Sequence, residues 1–186
     1  MRIIAGIFKG ISLNVVNNVG LESDLRPTTD RVRENIFNIL SGGRFDDPLT
    51  NARVLDLFSG TGALGIEALS RGASNITFVE KNPKACKLIQ KNIDLTGVGT
   101  QVRIINTNAL ALKINSNSPF NLIFLDPPYG KGWGSEALKN AYNTGWIAKN
   151  ALVVWEENSI QIAPDGFLLV HNKSYGNSKV TFLRAL

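Results

Sequence analysis

Cysteine and histidine are nearly absent, with one of each, Cys86 and His171, in 186 residues. A lone cysteine cannot close an internal disulfide, and without clustered Cys and His there is no zinc-type ligand set. No metal is expected. Long apolar runs are missing as well. Leu122–Leu125 and Ala151–Trp155 are typical of the longest, against the roughly 20 residues needed to cross a bilayer. The N-terminus lacks the charged-then-apolar layout of a secretory leader. These absences argue against a membrane or secreted protein and make a reducing cytoplasm the expected location. Neither sign of charge forms a block, and no repeat or low-complexity tract occurs, which argues against charged tails and solenoids.

What is present fits one globular domain plus a short appendage. The chain is 44% hydrophobic and 19% charged, ordinary values that exclude disorder. The net charge of +5 favours polyanionic partners without demanding them. Arg26, Arg31, Arg33 and Arg44 form the densest basic group and are a candidate phosphate-contacting face. The competing reading is a solvated helix surface with Arg31 and Glu34 paired three residues apart.

Residues 1–50 read as an N-terminal extension and 51–186 as the main domain. The extension opens with short alternating stretches, Ile3-Ile4-Ala5 and Ile11 to Val16, broken by Gly6, Gly10 and Asn17-Asn18, a hairpin-like pattern. Thr28-Thr29-Asp30 carries helix-capping chemistry, and Val32, Ile36, Phe37, Ile39 and Leu40 follow at helical spacing until Gly42-Gly43, which predicts one amphipathic helix. From Arg53 onward, short apolar runs alternate with helical segments, the pattern of an α/β fold on a parallel sheet. Strands are expected at Arg53–Phe58, Asn75–Glu80, Val102–Asn106, Leu122–Asp126 and Leu152–Glu156. A final antiparallel pair is expected at Phe167–Val170 and Lys179–Leu183. Helices are expected at Leu64–Ser70, Pro83–Leu95 and Glu136–Tyr142.

Val54-Leu55-Asp56-Leu57-Phe58 runs directly into Ser59-Gly60-Thr61-Gly62-Ala63-Leu64-Gly65, placing glycines where a strand turns into a helix. Gly60 and Gly62 let backbone approach a ligand, and Gly65 permits close packing of helix on strand. Glu80, followed by Lys81, ends the second strand twenty residues beyond Gly60, where a carboxylate accepts from ribose hydroxyls. Asp56 separates two cofactor classes. A carboxylate there repels the pyrophosphate of a dinucleotide but stabilises the cationic amino-acid portion of S-adenosyl-L-methionine. Phe58 and Ser59 complete the expected cofactor loop.

Asn121-Leu122-Ile123-Phe124-Leu125 is an apolar strand ending in Asp126-Pro127-Pro128-Tyr129-Gly130, at the edge where open α/β sheets bind ligands. Two prolines remove backbone donors and hold the preceding residues extended. The Asp126 carboxylate and Pro127 carbonyl are then acceptors for the two hydrogens of an exocyclic amino group, and Tyr129 offers a face for base stacking. Asp126, Pro127 and Tyr129 are the expected catalytic residues, with amino methylation of a nucleic-acid base as the reaction.

On these residues the chain resembles the bacterial 16S ribosomal RNA guanine-N2 methyltransferases of the RsmD type. The similarity takes in Arg2-Ile3-Ile4-Ala5-Gly6, the segment Arg26 to Glu34, the Asp56 strand with its glycine loop, Glu67-Ala68-Leu69-Ser70-Arg71-Gly72-Ala73, and Asp126 to Gly130. The resemblance implies a Rossmann-like class I sheet of seven strands, S-adenosyl-L-methionine as donor, and a guanine 2-amino group in 16S ribosomal RNA of an assembled or assembling small subunit as acceptor. It implies that the Arg26 to Glu34 segment closes over the site. It also places Asn108 and Ala109 against the adenine, with Asn108 standing where the family usually has Asp. Around Lys9 the chain is less basic than the family. An adenine-N6 methyltransferase acting on DNA or RNA, and an RNA-binding assembly factor without catalysis, are the alternatives. Cys86, beside Ile89 and Ile93, reads as a buried thiol, and His171 as structural. Trp133 reads either as a wall of the base pocket or as a pin for the next helix.

Overall fold

The computed structural model describes residues 1–15 and 30–186. Their strands are β1 (Arg53–Leu57), β2 (Asn75–Glu80), β3 (Val102–Asn106), β4 (Phe120–Leu125), β5 (Ile147–Glu157), β6 (Phe167–Tyr175) and β7 (Ser178–Ala185). They form one seven-stranded sheet in the order β3-β2-β1-β4-β5-β7-β6. The first five strands run parallel, and β7 is antiparallel to both β5 and β6. The helices are α1 (Asp30–Ser41), α2 (Ala63–Ser70), α3 (Pro83–Asp94) and α4 (Trp133–Asn143). The expected α/β class and the antiparallel last pair are both present.

Strand alternation splits the core between the two faces of the sheet. Val54, Phe124, Val154 and Phe182 pack on one face with α1, α2 and α3. Leu55, Leu57, Leu125 and Trp155 pack on the other with α4. This explains why β4 reads as an apolar run and β1 as one broken only by Asp56 after its first residue. They are central parallel strands, buried on both sides.

The N-terminal segment is held by α2. Glu67, only 1% exposed, accepts from the N–H groups of Ile4 (2.8 Å) and Ala5 (3.0 Å) and pairs with Arg71 at 2.7 Å. Ser70 continues the clamp, its carbonyl accepting from Ile7 N–H and its hydroxyl from Phe8 N–H. Gly6 sits at φ +82°, and a Cβ there would lie 1.7 Å from the Ser70 carbonyl oxygen, so the segment can reach α2 only with glycine at that position. Ile3 and Leu13 join the same apolar cluster as the sheet. The expected hairpin is a single bridge, Arg2 to Ser12, supported by Ile3 N–H to the Ile11 carbonyl. Val16 to Asn18, Arg26, Thr28 and Thr29 lie outside the described residues.

Several local expectations are corrected. Arg33 is not a phosphate-contacting surface residue. It is fully buried, donating to the Arg2 carbonyl at 2.6 Å and pairing with Asp30 at 3.1 Å. Among the described residues, the ion pair on α1 is therefore Arg33–Asp30 rather than Arg31–Glu34. Cys86 is half-buried, its Sγ 3.4 Å from the Glu80 carbonyl. Ile89 and Ile93 occupy the buried stripe of α3. β5 begins at Ile147, five residues before its expected start, in a stretch interrupted by Asn150 at φ +62°. β6 continues to Tyr175 with most residues exposed. It is an edge strand, so its polar second half has no buried face to betray it in the sequence.

Candidate active site

Five predicted site elements converge where β1, β2, β3 and β4 end. At the end of β1 the alternation sends Asp56 toward α2, where it is 2% exposed and Oδ2 accepts from Gly65 N–H at 3.2 Å. Burial pushes this carboxyl up to about 8, the Gly65 hydrogen bond works against the rise, and the charge of Glu80 adds to it. Gly65 has to be glycine because a Cβ would lie 1.9 Å from Ile76 Cδ1 and 2.5 Å from the Phe78 ring. That close approach brings the start of α2 onto Asp56.

The loop after Asp56 is rigidly tied. Phe58 takes φ +60°, a left-handed conformation costly for a bulky residue and a mark of functional loops. Ser59 is committed internally. Its hydroxyl donates to the Asp56 carbonyl at 2.6 Å and accepts from Val79 N–H at 3.0 Å. Gly60 and Gly62 follow at φ +54° and +78°.

Glu80, at the end of β2, is 6% exposed. One oxygen accepts from Gly60 N–H at 3.0 Å and the other from Asn82 N–H at 2.8 Å. A carboxylate has about four lone-pair sites, so capacity remains on each oxygen, and the two backbone bonds fix its orientation toward the glycine loop. Lys81 places Nζ 5.0 Å from the Trp133 ring centre. Trp133, the first residue of α4, thus meets the β2 side of the cleft. Asn108 follows β3 and caps a 3-10 turn, Oδ1 accepting from Leu110 N–H at 3.0 Å, with Ala109 buried behind it.

Asp126 and Tyr129 are half-buried and Pro127 is buried. The Tyr129 hydroxyl donates to Glu156 Oε1 at 2.8 Å and lies 3.1 Å from Ser178 Oγ. Gly130 N–H bonds Glu157 Oε1 at 3.1 Å. Burial raises the Tyr129 phenol well above its ordinary range, and the charges of Glu156 and Asp126 add to this. The ring therefore stays protonated and uncharged. The sequence reading missed Glu156, Glu157 and Ser178. The available signal was a pair of acids closing the apolar run Leu152-Val153-Val154-Trp155, on the strand next to the motif.

Elsewhere, a shallow polar cavity of about 310 Å³ opens where β1 to β4 begin, among Arg53, Arg103 and Asn117, and contains none of the predicted site residues. His171 lies on β6 beside Phe182, its ring centre 5.5 Å away. Burial, then Arg44 and Lys173, lower its pKa. Among the described residues, no group of three or more His, Cys, Asp and Glu side chains is arranged to hold a metal ion, and no helix is long and apolar enough to cross a membrane.

The family model described as Conserved hypothetical protein 95 matches residues 1–184. The chain belongs to that family. Ribosomal RNA small subunit methyltransferase D of Escherichia coli K12 is 36% identical over 179 residues, covering 95% of this chain and 85% of the relative. Among solved structures, the putative methyltransferase yhhF of Escherichia coli superimposes with a TM-score of 0.83 at 32% identity, covering 100% of this chain and 97% of that one. An RNA methyltransferase from Salinibacter ruber, in complex with S-adenosyl-L-homocysteine, has a TM-score of 0.65 at 18% identity over 86% of this chain and 94% of that one. That last likeness concerns the fold alone. The fold is the Rossmann-like class I methyltransferase fold.

Proposed function

We infer that this enzyme uses S-adenosyl-L-methionine to methylate ribosomal RNA, and we propose the 2-amino nitrogen of a guanine in 16S ribosomal RNA as its acceptor. The observation that carries the reading is the meeting of the Asp126-Pro127-Pro128-Tyr129 turn with the Asp56 and Glu80 carboxylates at one end of the sheet. The small subunit, assembled or assembling, is the proposed partner, and the cytoplasm the proposed location. Residues 1–50 are proposed as the extension and 51–186 as the methyltransferase domain.

The cofactor fits the residues present. A buried carboxyl held near 8 by the loss of water calls for a cation to stabilise its ionised form, and the donor's ammonium is such a group. Asp56 would hold the amino-acid portion, Phe58, Ser59, Gly60 and Gly62 the loop around it, Glu80 the ribose, and Lys81, Asn108 and Ala109 the adenine. When bound, the donor supplies an electrophilic methyl group. Asp126 and the Pro127 carbonyl accept the two amino hydrogens and turn the nitrogen lone pair toward that methyl group. Asp126 would take the proton the nitrogen sheds as the N–C bond forms and the donor's methyl–sulfur bond breaks, with S-adenosyl-L-homocysteine as the leaving group. Tyr129 stacks on the extracted base, a contact worth about 1–3 kcal/mol.

Incubation with methyl-labelled donor and, separately, small subunits, protein-free 16S ribosomal RNA and duplex DNA tests the reading. Label on guanine of the ribosomal RNA is expected. Label confined to DNA adenine would overturn it.

A further inference from the structure

The Tyr129 ring is not merely placed beside the site by the rigid Pro-Pro turn; it is tied at its far end to two other strands. The register pairs Leu125 of β4 with Trp155 of β5, so Asp126, just past the end of β4, lies on the strand next to Glu156, which is still paired within β5. Glu156 is 3% exposed, and its Oε1 accepts the Tyr129 hydroxyl at 2.8 Å. Its second oxygen, Oε2, is buried and has no partner among the described residues. A buried carboxylate with one oxygen unmet depends strongly on the bond its other oxygen makes. The phenol has a single hydrogen, which it gives to Glu156, so Ser178 Oγ, 3.1 Å away, must donate to the phenol oxygen. Ser178 is the first residue of β7, just past the turn at Gly176 that joins it to β6. The tether thus links the motif on β4 to both β5 and the antiparallel hairpin.

We propose that Glu156 and Ser178 are positioning residues that fix the plane of the Tyr129 ring, and so the seat of the target base, without touching the methyl donor. This rests on the reading of Tyr129 as the stacking face. A stacking platform works only if its plane is held, since a small rotation of the base moves the amino nitrogen off the line to the methyl carbon. A tyrosine ring turns about two side-chain bonds; hydrogen bonds at its hydroxyl end hold its position and tilt, and the in-plane preference of the phenol O–H passes the hold on to the ring plane.

The test is a double-mutant cycle on ribosomal RNA methylation. Donor affinity is measured alongside by calorimetry with S-adenosyl-L-homocysteine. Tyr129→Phe and Glu156→Leu are each expected to lower kcat/KM for RNA at least about tenfold, the lower end of the range for losing a hydrogen bond to a charged group. Donor affinity should stay within about threefold. The double variant Tyr129→Phe/Glu156→Leu should be no worse than either single one, because both remove the same bond. Glu156→Gln keeps an acceptor oxygen and should recover most of the loss seen in Glu156→Leu. Ser178→Ala, a surface-edge change that does not bury a new group, should show a smaller loss in the same direction. Multiplicative losses in the double variant, or normal kinetics in Tyr129→Phe and Ser178→Ala, would overturn the proposal. Tyr129→Ala separates the two levels. If it loses activity while Tyr129→Phe does not, only the tether fails, and if it methylates normally, the stacking reading fails with it.

Discussion

Binding of the methyl donor should expel a proton from Asp56. With the carboxyl held at about 8 by burial, at pH 7 roughly ten molecules carry it protonated for each one ionised. A ligand ammonium has an ordinary value of about 7.7–8.0, so at pH 6 to 7 it arrives charged and needs the carboxylate. Asp56 then gives up about 0.9 proton at pH 7, of which the ligand ammonium takes back about 0.1–0.2, and ionising the group there costs about 1.4 kcal/mol. The affinity for S-adenosyl-L-homocysteine, which keeps the same amino-acid portion, should accordingly rise about tenfold from pH 6 to pH 7. Calorimetry in two buffers of different ionisation enthalpy reads the released proton directly. Asp56→Asn retains an acceptor for Gly65 N–H, at 3.2 Å in the native chain, but cannot ionise. Its weaker affinity should be flat between pH 6 and 7 and its binding heat independent of buffer. A native enzyme whose affinity and heat ignore pH and buffer would refute the assignment of Asp56.

Four further outcomes follow from the geometry. In the unliganded chain the unfolded Asp56 ionises from 3.8 upward and the folded one only near 8. The native state binds the extra proton in that window, so stability falls as pH rises through it. Asp56→Asn should therefore gain melting temperature relative to the native enzyme between pH 5.5 and 8.5. Asp126→Ala should cut methylation by at least about a hundredfold, the lower range for a general base, while leaving donor affinity within about threefold in the same calorimetry. Gly65→Ala forces a methyl group against Ile76 and Phe78 and should cost about 1–3 kcal/mol in urea denaturation; a loss below about 0.5 kcal/mol would contradict the close packing. Glu67→Ala leaves Arg71 and two backbone donors unmet, and thermal unfolding should show a loss of about 3–5 kcal/mol.

Much of the sheet was legible because central parallel strands advertise themselves. β2 falls at its expected limits, and β1 and β4 differ from them by a residue or two, since burial on both faces leaves mostly apolar side chains between turn signals; β3 also falls at its expected limits, although it is an edge strand with none of its residues buried. The extra length of β6 was not legible, because its polar residues face solvent on an edge. The burial of Arg33 was hidden for a different reason. Charge clustering in the sequence says nothing about whether a distant carbonyl, here that of Arg2, comes down on the guanidinium. The proposed site divides in the same way. Asp56, Glu80 and Asp126 could be picked out because each lies at or beside a strand end on the ligand edge, whereas the roles proposed for Glu156 and Ser178 depend on β5 and β7 lying side by side. That adjacency comes from sheet order, which spacing along the chain does not encode.

The most direct measurement is nucleoside mass spectrometry on small-subunit ribosomal RNA. RNA from cells lacking the gene would be compared with RNA from the same cells supplied with the native enzyme or with Asp126→Ala. The account predicts one N2-methylguanosine site in 16S ribosomal RNA that is lost with the gene, restored by the native enzyme and not restored by Asp126→Ala. An unchanged guanine map, with methylation lost instead from adenine or from no base, would contradict it.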